Sequence, residues 1–227
     1  MHPFPTEPVV WLPNCVLRPY HVSDLEPMRA AADDPAMPRF MRDVFPEPYT
    51  REDALFWLRV CRTPNLPDAD TKGDAALEPE TPELHLAICL HDGTFAGGLG
   101  LRSNSPDGTD RHTREIGYWI ARPQWGRGLA TEAAGGFARW ALAPPPEALT
   151  HPYTRCLFKD GPLRRVEAGI FAGNTPSTRV LARAGFVREG VRRQAVVKRG
   201  EMHDVIMFGL VQADLNKAEP EESAEKA

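Results

Sequence analysis

Two glycines in the middle of the chain lie where a protein can present bare backbone N–H groups to a ligand. Gly126 and Gly128 belong to the segment 125–130 (WGRGLA), which follows an alternating apolar segment and precedes an Ala-rich stretch. Glycine lets the backbone approach a ligand closely, because it has no Cβ. A strand, a glycine turn and a helix in that order direct N–H groups and the helix dipole at an anion. The spacing therefore predicts a phosphate-binding turn; the alternative is an ordinary tight strand-to-helix turn.

Residue types and spacing argue against two other kinds of site, a dinucleotide-binding motif and a His-Asp catalytic dyad. A dinucleotide-binding fingerprint needs a third glycine where this chain has Thr131, and an acidic residue at the end of a following strand, which this sequence lacks at the required distance. The adjacent residues His203 and Asp204 cannot form a catalytic dyad, because neighbouring strand residues point to opposite faces of a sheet. We interpret Asp204 as the structural partner of a nearby turn or arginine.

The elements that must position the glycine turn follow from the apolar spacing. Residues 115–122 alternate as a strand, and prolines 144–146 end the helix after the turn. The apolar stripe of that helix lies at i, i+4, i+8 and i+11: Leu129, Ala133, Phe137 and Trp140. Further strands are predicted at Val16–Arg18, 84–90, Phe95–Arg102 and Arg165–Phe171, and as two strands around an Arg199-Gly200 turn. Further helices are predicted near Ser23, over 51–62, and after Thr175 as N-cap with Pro176 at the first helical position.

The segment 115–140 (EIGYWIARPQWGRGLATEAAGGFARW) resembles the acetyl-CoA-binding motif of the GNAT superfamily of N-acetyltransferases. The sequence of this segment is similar to that of the ribosomal-protein-alanine N-acetyltransferase-like branch in particular. Residues 164–190 resemble the next strand and helix of that branch, 16–28 resemble its first strand and helix, and the segment RGEMHDVIMFGLV resembles its last strand. The ordered matches cover about residues 14–212.

The order of strands and helices favours an α+β fold around one twisted sheet. The resemblance implies a GNAT-like single domain whose mixed, mostly antiparallel sheet is flanked by about four helices. It also implies that the strands 115–122 and Arg165–Phe171 are parallel neighbours that splay apart, with the pantetheine of the cofactor entering the gap.

The resemblance implies a division of the chain into an N-terminal extension (1–13), an acetyltransferase domain (14–212) and a polar tail (213–227) that we expect to be disordered. Within the domain, an acidic and Pro-rich segment (63–83) is expected to be an exposed loop. A Pro-rich insertion (143–163) is expected over the acceptor side.

The resemblance implies acetyl-CoA as co-substrate and assigns residues to it. The turn would bind the pyrophosphate through its backbone amides: Trp125, Gly126, Arg127, Gly128, Leu129 and Ala130. The strand end would bind the pantetheine amides and polarise the thioester carbonyl through its backbone: Ile120, Ala121 and Arg122. Asn174 resembles a cofactor-contacting asparagine of the family; its alternative role is a turn or helix-start residue. Trp125 departs from the family's usual Gln or Arg, which removes a side-chain contact but no backbone donor.

For catalysis, the resemblance assigns the general base to Glu115, whose alternative is a solvated strand glutamate. Glu167 resembles a strand position of the family and not its base. Many members use a tyrosine on the later helix to protonate the thiolate, but the matching position here is Leu181. The ribosomal-protein branch is associated with a serine at the helix start, and Ser177 matches it; a capping role is the alternative.

The acceptor is expected to be an amine. An α-amine with a pKa near 7.8 is about a quarter neutral at pH 7.4, whereas a lysine near 10.4 is about 0.1% neutral. A site with one carboxylate and no helix tyrosine therefore favours protein N-termini or weakly basic small amines over lysine. A non-catalytic acyl-CoA-binding or regulatory protein remains the alternative, kept open by Trp125 and Leu181.

Composition argues against several other classes of protein. A net charge of −4 argues against general nucleic-acid binding. Four cysteines without CxxC spacing and seven scattered histidines predict no disulfide framework and no metal site. The segment MHPFPTEP lacks the pattern of a secretory signal, and no apolar run is long enough to span a membrane, so a cytoplasmic location is expected. The sequence leaves the oligomeric state open.

Overall fold

The computed structural model describes residues 3–61, 83–103 and 108–216. They form one eight-stranded sheet in the order β1-β2-β3-β4-β5-β6-β8-β7. The strands are β1 Val10–Trp11, β2 Val16–Arg18, β3 Leu84–Cys89, β4 Phe95–Arg102, β5 Thr113–Ile120, β6 Arg165–Phe171, β7 Val187–Lys198 and β8 Glu201–Val211. The helices are α1 Leu25–Ala32, α2 Arg51–Val60, α3 Leu129–Leu142, α4 Pro146–Thr150 and α5 Thr175–Arg183. The α+β expectation is confirmed, with four helices longer than the short α4.

The sheet is antiparallel except where β5 meets β6. The parallel ladder covers three residue pairs and ends at Glu115↔Glu167. Beyond that pair β5 stays paired with β4, and β6 stays paired with β8. The two strands therefore separate toward their carboxyl ends, which confirms the expected splayed parallel pair.

Two hydrophobic cores cover the two faces of the sheet. On the first face, apolar side chains of α3 and α5, such as Phe137 and Leu181, pack against the sheet. On the second face, α1 and α2 pack mainly over β2 and β3, and Phe95 and Trp119 adjoin that core. The described residues of the second core include none from β6 or β8, so the helices cover only one half of this face.

Local sequence signals explain where the helices begin. Thr50 and Asp53 form a capping box at the start of α2, with the Asp53 amide donating to the Thr50 hydroxyl at 3.2 Å. At α5 the N-cap is Asn174, whose Oδ1 accepts from the Ser177 amide at 3.2 Å. The prediction of Thr175 as cap was therefore wrong by one residue: the Asn174 side chain reaches the third amide of the helix, so Thr175 is already helical.

Several predicted boundaries are corrected by packing between distant segments. The extension 1–13 contributes β1, with Val10 buried. The strand expected at 115–122 is Thr113–Ile120, because Arg122 begins a 3₁₀ turn. The tail begins later than expected, since a 3₁₀ helix occupies Gln212–Asn216. The expected loop 63–83 lies almost wholly outside the described residues, as do residues 217–227 of the tail.

The Pro-rich segment 143–163, expected over the acceptor side, packs into the core of the first face. It contains α4 and a 3₁₀ helix, and its apolar side chains Leu157, Phe158 and Leu163 are buried in the core beneath α3. The Tyr153 hydroxyl donates to the backbone carbonyl of His85 at 2.9 Å. Its apolar residues therefore make this segment part of the fold. In the part of the chain that the structure describes, no helix has the length and apolarity to cross a membrane.

Candidate functional site

The glycine turn forms an open, uncapped helix start. Gly126 and Gly128 adopt φ of 75° and 78°, a left-handed conformation that favours glycine. A Cβ at either position would meet no atom of the described residues within 4 Å, so the space above the turn is open. In the described part of the chain, no side chain caps α3 at Gly128. The first amides of this 14-residue helix, from Leu129 onward, can therefore donate to an anion.

The strand end carries fewer open backbone groups than the sequence predicted. The Ala121 amide already donates to the Ala96 carbonyl at 2.8 Å. The Ile120 carbonyl accepts from the indole Nε1 of Trp125 at 2.6 Å. Arg122 begins the 3₁₀ turn, and its carbonyl accepts from the Trp125 amide at 3.1 Å. The Ala121 amide therefore completes the β4–β5 ladder and is not open to a ligand in this structure.

Alternation along β5 identifies the backbone groups that face the gap. In an antiparallel pair, each residue directs its N–H and C=O to the same side, and successive residues alternate. Since Ala121 bonds to β4, the groups of Ile116, Tyr118 and Ile120 point toward β6; the Ile116 amide closes the last pair of the parallel ladder, and the groups beyond it face the gap. This edge can hydrogen-bond an extended ligand lying between the two strands, with the Ile120 carbonyl shared with Trp125.

Tyr118 and Ser177 meet on the first face beside the gap. The Tyr118 hydroxyl donates to the Ser177 backbone carbonyl at 3.4 Å. Burial raises the pKa of Tyr118 to about 12. Leu181, at the position expected for a helix tyrosine, is fully buried in the core. Sequence reasoning missed Tyr118 because only the packing of α5 against β5 brings its ring to the start of that helix.

Glu115 projects from the other face, with Gly117 and Trp119. Its Oε1 accepts from Arg102 Nη2 at 2.7 Å and from Arg42 Nη2 at 3.4 Å. The carboxylate is 19% exposed, so it is neither fully solvated nor buried. Its register partner Glu167 is 20% exposed and pairs with Arg165 Nε at 2.9 Å. The two arginines fix the orientation of the Glu115 carboxylate next to the point where β5 and β6 separate.

At the edge of the second face, the segment between α1 and α2 contacts the turn between β7 and β8. Asp43, in the segment between α1 and α2, accepts from Lys198 Nζ at 3.0 Å and from the Arg199 amide at 2.9 Å in the β7–β8 turn. A cavity of about 410 Å³ lies between these elements. It is lined by Pro35, Arg39, Glu47, Lys198, Arg199, Glu201 and His203.

The structure separates His203 from Asp204, as predicted. The Asp204 carboxylate accepts from the Gln194 amide at 2.8 Å at an irregularity of β7, so Asp204 is the partner of a distorted strand. The His203 ring lies 6.4 Å from the Phe171 ring. Within the described ranges, no three His, Cys, Asp or Glu side chains are grouped to hold a metal ion.

Comparison with known families gives one match over most of the chain. The model of the acetyltransferase (GNAT) domain matches residues 14–187. Among curated proteins, the chain is 30% identical to a putative ribosomal N-acetyltransferase of Bacillus subtilis, over 55% of this chain and 58% of the relative. It is 29% identical to the ribosomal-protein-serine acetyltransferase of Escherichia coli, over 44% and 46%. The chain spans about half the length of the curated relatives it matches.

Solved structures share the fold over nearly the whole chain. RimJ of Mycobacterium smegmatis in complex with CoA-disulfide superposes with a TM-score of 0.67 and 24% identity, covering 96% of this chain and 93% of that one. The microcin C7 self-immunity acetyltransferase in complex with acetyl-CoA and AMP superposes with a TM-score of 0.62 and 18% identity, covering 88% and 93%.

Proposed function

The chain belongs to the GNAT family of acetyltransferases, and from that premise we propose that it transfers the acetyl group of acetyl-CoA to a primary amine. The amine nitrogen forms a bond to the acetyl carbon while the carbon–sulfur bond breaks. The electron pair of that bond leaves with the sulfur, and the proton of the amine passes to a base. Both substrates are bound together, so attack is direct.

The observation that carries the proposal is the splayed β5–β6 pair with the glycine turn at its mouth. The backbone of Tyr118 and Ile120 is directed into the gap, where the pantetheine amides would take the place of a missing strand. The amides that follow Gly126 would hold the pyrophosphate at the start of α3. The side-chain carbonyl of Asn174 already caps α5, so we assign Asn174 to shaping the cofactor site by placing that helix.

Glu115 is the proposed base, because it lies on the second face next to the end of the parallel ladder and is partly exposed. On the opposite face of the sheet, the Tyr118 hydroxyl donates to the Ser177 carbonyl, and we assign the Tyr118 and Ser177 hydroxyls as the proposed donors to the departing thiolate. A tyrosine with a pKa near 12 is a weaker acid than a thiol of about 8.5. Tyr118 would therefore stabilise the thiolate by a hydrogen bond and keep its own proton.

We propose a peptide or protein α-amine as the acceptor class. Near pH 7 an α-amine is far more often neutral than a lysine side chain, so less of it has to be deprotonated by the enzyme. This suits a site whose single proposed base, Glu115, already pairs with two arginines. Two of the relatives carry ribosomal-protein acetylation in their names.

A thermal-shift titration with acetyl-CoA, with NADPH and ATP as controls, tests the cofactor. A ligand at 100 times its Kd stabilises a protein by about 2.7 kcal/mol. For a chain of this size that is a rise of about 5–10 °C in Tm. Release of CoA with N-terminal peptides then tests the transfer. No shift with acetyl-CoA would refute the proposal.

A non-catalytic acyl-CoA-binding protein is the second candidate. It is favoured by the engagement of Glu115 with Arg102 and Arg42 and by the core position of Leu181. It predicts the same shift with acetyl-CoA, but no CoA release with any peptide or small amine.

A further inference from the structure

Gly117 lies in the middle of β5, and nothing among the described residues requires it to be glycine. Its φ lies outside the left-handed region. A Cβ built on it would meet no atom of the described residues within 4 Å, and the residue is exposed. A glycine inside a strand weakens it, because it loses more conformational freedom on folding and has no side chain to pack.

The glycines of β4 are different. A Cβ on Gly98 would collide with the Tyr20 hydroxyl, and a Cβ on Gly100 would collide with the ring of His85. These two positions are glycine because other side chains of the protein fill the space. Gly117 is the register partner of Gly100, but the space above it holds none of the described residues. A glycine inside a strand often marks a bulge, a bend or a close approach by a ligand, and the β4–β5 register runs through Gly117 without a shift.

The position of Gly117 puts this open space beside the candidate site. It lies two residues beyond Glu115, the last residue of the β5–β6 ladder, and so at the start of the gap. Glu115, Gly117 and Trp119 share one face, and residues two apart on a strand are about 7 Å from each other. A molecule on Gly117 therefore lies beside the Glu115 carboxylate, against the Trp119 side chain, and next to the end of the cofactor cleft.

We propose that the acceptor binds over Gly117, in a site formed by Glu115, Gly117 and Trp119 that we call the acceptor seat. The missing side chain of Gly117 makes room there for the Cα and first side chain of a peptide α-amine. This inference rests on the proposed function. A side chain at residue 117 would project into the seat from the second face. It would leave the gap-facing backbone of β5 and the glycine turn unchanged.

The test uses the full chain and three probes: CoA, acetyl-CoA, and CoA joined through its sulfur and an acetyl linker to the α-amine of Ala-Ala-Ala. Linking the two ligands should make the wild type bind the conjugate about 10-fold or more tightly than CoA. Gly117→Val should lose that gain and keep the wild-type Kd values for CoA and acetyl-CoA, measured by calorimetry. Gly117→Ala should lose part of it. Gly190→Val, at another strand glycine with open space, is the matched control and should keep the gain.

Three results would overturn the inference. Wild-type affinity of Gly117→Val for the conjugate would show that the seat lies elsewhere. Weaker binding of acetyl-CoA, but not of CoA, to Gly117→Val would mean that the glycine faces the acyl group. A wild type that binds the conjugate no better than CoA would exclude a peptide seat at this position. Failure of the proposed function is seen in the wild type alone and differs from all three: the wild type would either not bind acetyl-CoA, or bind it and release no CoA with N-terminal peptides.

Discussion

Glu115 and Glu167 form a matched pair of carboxylates on neighbouring strands. They are register partners, each is about one-fifth exposed, and each pairs with an arginine. If Glu115 is the base, Glu115→Gln should lower kcat by about 10²- to 10⁴-fold, because the glutamine cannot take the amine proton. The Kd for acetyl-CoA should stay unchanged, since the side chain lies on the second face.

Glu167→Gln is the control for this change and should retain the wild-type kcat. Steady-state rates of CoA release across pH 6–9, measured for both variants and the wild type, test whether Glu115 is the general base. A Glu115→Gln variant with wild-type rates over that range would remove Glu115 from the role of base and strengthen the non-catalytic alternative.

The Tyr118 hydroxyl is the second residue whose role can be measured. Tyr118→Phe should lower kcat by about 10- to 100-fold, the worth of one hydrogen bond to a charged group. Burial keeps the pKa of Tyr118 near 12, so its hydroxyl remains protonated at lower pH, and the ratio of wild-type to variant rates should be constant from pH 6 to 9. A ratio that changes with pH in that range would instead indicate proton transfer by Tyr118.

Ser177→Ala separates the serine from the tyrosine. The helix cap is made by Asn174, so removing the Ser177 hydroxyl leaves the cap in place. A fall in kcat with an unchanged Tm would identify a catalytic hydroxyl. Wild-type kcat would leave Tyr118 as the donor.

At the scale of elements, the turn between β5 and α3 contains Trp125, whose indole donates a hydrogen bond to the Ile120 carbonyl. Trp125 is 49% exposed, and its Nε1 bonds that carbonyl at the mouth of the gap. Trp125→Phe frees the carbonyl for a pantetheine amide, and the Kd for acetyl-CoA should fall by about 2- to 10-fold, as expected for one net hydrogen bond.

Tryptophan fluorescence follows the same event. Binding of acetyl-CoA should change the wild-type emission, and Trp125→Phe should abolish that change. Trp11→Phe, which removes a half-exposed indole on β1, should retain it. Weaker binding by Trp125→Phe would show that the indole is a wall of the cofactor site and does not compete for it.

At the scale of the whole molecule, Asp43 joins the two ends of the fold across the second face. Hydrogen bonds from the Arg199 amide and from Lys198 hold the pKa of Asp43 below its usual value. A carboxylate with a lowered folded pKa stabilises the protein above its unfolded pKa of about 3.9, and that stabilisation is lost as the pH falls through the folded value. Asp43→Asn should therefore have a lower Tm than the wild type at pH 7, and the difference should shrink toward pH 3.

Glu201→Gln is the control for this dependence. Glu201 lies at the same turn and has no ion pair among the described residues, so its replacement should leave the pH dependence of Tm as in the wild type. A difference between wild type and Asp43→Asn that stays constant down to pH 3 would contradict the assignment.

The sequence by itself determined the parts of this protein that depend on short-range chemistry. Alternation and helical spacing placed β5, α3 and α5 to within two residues, and Gly126 and Gly128 identified the turn between them, because strand period, helix period and left-handed φ are local properties. The motif around that turn also indicated the family.

Only the tertiary structure decided which side chains meet. The contact of Tyr118 with Ser177 joins residues 59 apart, and the bond between Asp43 and Lys198 joins residues 155 apart. The same holds for the burial of Leu157 beneath α3 and for the open space at Gly117. These features depend on strand order and on the register at which β5 and β6 part, which are set by packing across the whole chain and leave no local pattern.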